Sequence, residues 1–209
     1  MTPSRAQLAD AVVRALAAAC PGSRARLRGS LAAGTADAFS DIDVEWVVPD
    51  GRVPACARDV RTVLERVRPV ATVRTSPDFF RSGERRLLFV RFSGVPLFWR
   101  LDLALREVSA DAEPGTGDPD VHALEGDWSR PASALANALG AIKAVARGRV
   151  DDANGLLERG FARIGEPDAA TGRWVDDVTR LARAAVDREP DLAALAEETI
   201  ALATAELGG

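Results

Sequence analysis

The sequence predicts an α+β chain, with a mixed β-sheet and flanking helices in its first half and a C-terminal helical bundle in its second. Three observations carry this. Short β-rich runs, several of them alternating polar and apolar residues, fall between residues 24 and 105. Beyond residue 130 the apolar residues follow helical spacing instead. Between the two lies a stretch of breakers, Glu113-Pro114-Gly115-Thr116-Gly117-Asp118-Pro119. A length of 209 residues with 47% hydrophobic content is enough for one large core or two small ones. No apolar run approaches the ~20 residues of a membrane helix, so a soluble chain is expected.

The first element is expected to be a helix over residues 5–20. Arg14 interrupts its apolar run, and Arg5, Gln7 and Asp10 lie along a polar side, which makes it an amphipathic helix rather than an export signal. Arg24-Ala25-Arg26-Leu27-Arg28 alternates as a strand, Gly29-Ser30 turns, and Leu31-Ala32-Ala33 suits a helix stopped by Gly34. A strand over 41–48 is closed by Pro49-Asp50-Gly51, and a helix over 54–67 begins with proline. Strands over 70–74, 86–92 and 97–105 follow, the last two joined as a hairpin through Ser93-Gly94-Val95-Pro96. Four helical segments, 131–147, 151–164, 173–188 and 191–207, are separated by short loops that favour antiparallel neighbours. The expected organisation is a first domain over 1–110, an acidic linker or lid over 111–130, and a helical domain over 131–209.

Chemistry concentrates in the strand over 41–48. Successive strand side chains point to opposite faces, so Asp41, Asp43 and Glu45 share one face while Ile42, Val44 and Trp46 share the other. Like charges so close are tolerated most easily with a cation between them. Carboxylate oxygens are the donors that Mg²⁺ prefers, commonly together with substrate phosphates. Upstream, the glycine turn at Gly29-Ser30 and the helix start behind it present N–H groups and a hydroxyl to an anion. In the run over 97–105, Arg100, Asp102 and Ala104 face away from Leu101, Leu103 and Leu105. A polar group buried there without a partner costs roughly 2–7 kcal/mol, so Asp102 calls for a metal ion, an ion pair with Arg100 two residues away, or a solvated polar face.

The spacing of Gly29-Ser30 and, after ten residues, Asp41-Ile42-Asp43-Val44 resembles the signature of the nucleotidyltransferase superfamily. That superfamily includes DNA polymerase β and the aminoglycoside nucleotidyltransferases, and its signature reads Gly-[Gly/Ser], a spacer, then Asp-h-[Asp/Glu]-h with h apolar. The resemblance implies a nucleotidyltransferase-type sheet and a third carboxylate on a neighbouring strand, the place of Asp102. It implies two Mg²⁺ ions held by Asp41, Asp43 and Asp102, with Asp102 as general base. It also implies nucleotide binding through Gly29, Ser30 and Ser40, with ATP or another nucleoside triphosphate as co-substrate. The expected reaction moves a nucleoside monophosphate to a hydroxyl of a small, aminoglycoside-like acceptor and releases pyrophosphate. Antibiotic resistance would follow by analogy alone. Two other readings stand beside it: a nucleotidyltransferase-type antitoxin or protein-modifying module with a protein partner, and a non-catalytic nucleotide-binding relative.

One departure concerns charge. Small members of the superfamily often read Gly-Ser-x-Ala-Arg-Gly, whereas Gly29-Ser30-Leu31-Ala32-Ala33-Gly34 has alanine where the arginine would meet the triphosphate. Lys143 is the candidate for a partial replacement. Among 27 basic residues it is the sole lysine, which arginine-rich codon usage explains equally well as a need for a compact ammonium at a phosphate. A lysine from the helical domain also fits the resemblance.

A net charge of −4 argues against an extended nucleic-acid partner and favours a small acceptor. Six acidic side chains between Asp111 and Asp127 suit either a cationic acceptor or a solvated linker. Cys20 and Cys56 form no disulfide framework and no metal spacing, which fits small buried side chains in a reducing cytoplasm. His122 has no Cys or His neighbour and is assigned no role.

Overall fold

Leu8, Val12 and Leu16 recur at helical spacing, and Ser4 with Gln7 closes a capping box ahead of them. The result is helix α1, Arg5–Ala19, with that stripe buried. The computed structural model describes residues 4–110, 122–124, 126–166 and 170–208, so most of the acidic segment expected at 111–130 lies outside the described residues. The chain divides into two compact units, Met1–Trp128 and Ser129–Gly209.

In the first unit the alternating runs become β1 (Arg24–Leu27), β2 (Ile42–Val48), β3 (Val70–Thr75), β4 (Arg85–Phe92) and β5 (Leu101–Glu107). They form one mixed sheet in the order β1-β2-β5-β4-β3, in which β2 and β5 run parallel and the other neighbours antiparallel. Helices α2 (Gly29–Ala33) and α3 (Val53–Glu65) complete the unit. Parallel strands require a long crossover, and α3 with the β3–β4 hairpin supplies it between β2 and β5.

One face of the sheet is apolar. Val44 and Trp46 of β2, Leu103 and Leu105 of β5, and Val90 of β4 pack with Leu16 of α1 and Leu64 of α3 in one core. The pairing register places Arg26, Glu45, Asp43, Asp102 and Phe89 on the other face. Cys20 and Cys56 are buried and unbridged, and burial, with Cys20 close by, pushes the Cys56 thiol up to about 12. An unionised thiol is a packing group, not a nucleophile.

The strand expected over 97–105 is shorter. Leu97–Trp99 forms a 3₁₀ turn and β5 begins at Leu101, which removes Leu97 and Trp99 from the strand face. Pro96 starts this turn with φ −53°, and its carbonyl accepts the Trp99 N–H at 2.9 Å. Phe98 is the residue of the turn that is buried.

Glu45 is a charge enclosed within the sheet, only 2% exposed. Arg26 Nε donates to it at 2.7 Å and Arg106 Nε at 3.2 Å, with Arg28 Nη1 3.8 Å away. Burial alone raises the Glu45 pKa, but the bonds and charges of Arg106 and Arg26 outweigh it and hold the carboxyl below the usual glutamate range. The cluster ties β1, β2 and β5 together at their charged face.

Among the described residues the second unit holds four α-helices, α4 (Arg130–Ala146), α5 (Val150–Arg163), α6 (Trp174–Arg188) and α7 (Ala193–Leu207), with α4 packed against each of the others. Ser129 caps α4 by accepting the Ala132 N–H at 2.9 Å, and its hydroxyl donates to Glu189. A Cβ at Gly160 would lie 2.6 Å from Leu181 Cδ2, so glycine permits the close approach of α5 to α6. Among the described residues no helix is long and apolar enough to cross a membrane.

A carboxyl with a depressed folded-state pKa stabilises the fold above its unfolded pKa and loses that contribution as pH falls through the folded value. Glu45→Gln is therefore expected to lower stability at pH 7 by about 3 kcal/mol, the lower end for a broken buried pair. Melting curves of the two proteins should converge as the pH falls below the usual glutamate value. Curves that stay parallel down to acid pH would contradict the assignment.

Candidate active site

Parallel pairing sets Asp43 of β2 directly beside Asp102 of β5 on the charged face. Strands in such a pair lie about 4.8 Å apart, which makes the two carboxyls lateral neighbours. Asp41 stands one position ahead of β2, and the Ile42 N–H donates to the Arg100 carbonyl at 2.9 Å, extending the pairing back to that row. Three acids and one arginine therefore occupy two adjacent rows of the sheet.

Arg100 answers the repulsion. Its Nε and Nη2 donate to the two oxygens of Asp102, each at 2.6 Å, and Nη2 lies 3.9 Å from Asp41 Oδ2. The guanidinium is also stacked 4.8 Å from the centroid of the Phe89 ring, which Arg74 approaches at 4.7 Å. Burial works to lower the Arg100 pKa, but Asp102, Asp41 and Asp43 outweigh it and raise it above the ordinary arginine value. Of the two partners the sequence offered Asp102, the ion pair with Arg100 is present. The side chains of Arg100, Asp102 and Asp41 keep 18%, 20% and 28% of their exposure, so solvent reaches the group.

The Gly29 turn packs directly on Asp43. Gly29 has φ +60°, a Cβ built there would be 3.1 Å from Asp43 Cγ and would overlap Oδ2, and the Arg28 N–H donates to the Asp43 carbonyl at 2.9 Å. Only a residue without a side chain fits between the turn and that carboxyl. Ser30 is half-buried at the start of α2, and its carbonyl accepts the Thr35 N–H at 2.9 Å as Gly34, φ +71°, ends the helix. Ala33 is exposed and brings no charge. Arg28 does bring one beside the turn, 45% exposed. The sequence signal for it was the alternation of Arg24, Arg26 and Arg28 running into Gly29, which sequence reasoning read only as a strand.

Two further sequence-derived residues are Ser40, directly before Asp41, and Lys143. Ser40 is 2% exposed, its hydroxyl donates to Asp37 Oδ1 at 2.8 Å, and its carbonyl accepts from Arg5 at 2.7 Å, so it shapes the turn into β2. Lys143 is on α4 of the second unit, 9% exposed. A lysine so enclosed needs an anionic or polar partner.

Among the described residues no three His, Cys, Asp or Glu side chains are grouped as a metal cage. Arg100 stands against Asp102 and Asp41. The donor chemistry still fits a hard divalent ion, because Asp43 and Asp102 are adjacent oxygen donors on one partly exposed face.

No family model and no curated protein matches the sequence. Solved structures do show similarity. A complex of the non-canonical poly(A) polymerase GLD-2 with GLD-3 is 14% identical, with 78% of this chain and 44% of that chain covered and a TM-score of 0.37. A cytoplasmic RNA terminal U-transferase is 12% identical over 70% of this chain and 41% of that one, also at 0.37. An aminoglycoside 6-adenyltransferase from Bacillus subtilis is 14% identical over 78% and 66%, again at 0.37. This chain spans less than two thirds of the length of each.

Gly29 and Gly34 both have positive φ, but a Cβ at Gly34 meets nothing within 4 Å. Gly34→Ala should cost about 1 kcal/mol for the left-handed backbone alone. Gly29→Ala should cost clearly more, because Asp43 must also move. Equal losses in denaturant titrations would show that Asp43 is not held by the turn.

Proposed function

We propose that the chain transfers a nucleoside monophosphate from a nucleoside triphosphate to a hydroxyl of a small acceptor, releasing pyrophosphate. The observation that supports this best is Asp43 beside Asp102 on one sheet face, with the Gly29-Ser30 turn closed over Asp43. Together with the motif resemblance, it suits chemistry on a phosphate held by divalent ions.

Asp41, Asp43 and Asp102 would hold Mg²⁺, which when bound neutralises phosphate charge and makes the α-phosphorus more electrophilic. Each other contribution belongs to the chain itself. The turn at Gly29 and Ser30 orients the triphosphate, and Arg28 supplies the positive charge that Ala33 lacks. Asp102 accepts the acceptor hydroxyl's proton as that oxygen bonds to the α-phosphorus and the bond to the pyrophosphate oxygen breaks in line. Lys143 is assigned to triphosphate recognition on the chemistry of a compact ammonium alone. A small hydroxylated acceptor suits the overall charge of −4 better than an extended nucleic acid. Two unbridged thiols suit a cytoplasmic setting.

The activity is tested by screening pyrophosphate release with each of the four nucleoside triphosphates across hydroxylated acceptors. Asp43→Asn should lower kcat/KM by at least about a hundredfold, as expected for loss of charge in a metal-assisted site. Release unchanged in that variant would exclude the carboxylates from the reaction. Lys143→Ala should raise the KM for triphosphate well above any change in the KM for acceptor; equal changes would remove Lys143 from phosphate recognition.

A further inference from the structure

Asp41, Asp43 and Asp102 share the charged face of the sheet, and the Arg100 guanidinium stands against Asp102 and Asp41. Arg100 engages both oxygens of Asp102 at 2.6 Å, lies 3.9 Å from Asp41, and rests on the Phe89 ring at 4.8 Å. Its position is held from the backbone as well, since its carbonyl accepts the Ile42 N–H that starts the β2–β5 pairing. The side chain is 18% exposed and bonded in a planar fork, the geometry in which arginine matches a carboxylate.

We propose that Arg100 is a positioning residue that serves as the resident counter-cation of the Asp41, Asp43 and Asp102 group. It keeps Asp102 in place while no divalent ion is bound, and the guanidinium and an arriving ion oppose each other at that carboxylate. The inference rests on reading these carboxylates as the seat of a divalent ion. Two consequences distinguish it from a merely structural ion pair. First, the wild-type group binds metal weakly without nucleotide, because Arg100 has already met part of its charge. Second, a chain without Arg100 gains more stability from divalent metal than the wild type does, because Asp102 has lost the cation bonded to both its oxygens.

Arg100→Gln removes the charge and leaves a side chain of similar reach. Binding of Mn²⁺ without nucleotide, followed by electron paramagnetic resonance, should tighten about tenfold or more, since a unit charge at this range outweighs thermal energy even in a polarisable protein. The melting temperature of Arg100→Gln in EDTA should fall below that of the wild type and recover with added Mg²⁺, while the wild type responds little. Mn²⁺ affinity equal to the wild type, in a protein where Asp43→Asn still abolishes binding, would overturn the role of Arg100 and leave the carboxylate reading intact. Failure of wild type and variant alike to bind Mn²⁺ would overturn both. Should Arg100→Gln fail to fold even with Mg²⁺, Arg100→Lys decides. Lysine keeps the charge but frees one Asp102 oxygen, so a few-fold tightening supports the role and unchanged affinity refutes it.

Discussion

Two aspartates held side by side by the parallel pairing of β2 and β5 set the terms for everything around them. The register that places Val44 beside Leu103 and Trp46 beside Leu105 in the core is the same register that places Asp43 beside Asp102 on the opposite face. Slipping one strand by one residue would turn its aspartate into the core and its apolar residues out. Core packing therefore pays for the proximity of like charges. Arg100, on the row next to them, reduces the remaining repulsion, and Gly29 leaves room for the carboxyl that results.

The same face repeats this pattern one step along β2. Glu45 is more enclosed than the aspartates and is met by Arg26 and Arg106. Its partners satisfy it completely enough that no role beyond holding three strands is required. The aspartates differ, since they keep partial exposure and Asp43 adjoins the Gly29 turn. That contrast separates a buried structural charge from a group able to meet a ligand.

Much of this was legible in the sequence because period-two alternation decides faces without any knowledge of partners. Asp41, Asp43 and Glu45 on one side, and Arg100 with Asp102 on one side, follow from spacing alone. Which strands become neighbours does not, because parallel pairing across a long crossover leaves no local mark. The start of β5 was misjudged for a related reason: Leu97 and Trp99 continue the alternation, yet Pro96 fixes a 3₁₀ turn that periodicity does not register. The clamp on Glu45 was hidden as well, since Arg26 meets it only through the β1–β2 register and Arg106 only through β5. The bond from the Ser40 hydroxyl to Asp37 is local, yet nothing in the spacing of the motif announced it.

The most direct test is the anomalous scattering of crystals soaked with Mn²⁺ and a non-hydrolysable nucleoside triphosphate. The account predicts a peak at coordination distance, about 2.1 Å, from carboxylate oxygens of Asp43 and Asp102, with the phosphates against the Gly29-Ser30 turn. Bound triphosphate with its metal elsewhere, and Asp102 still paired only with Arg100, would contradict it.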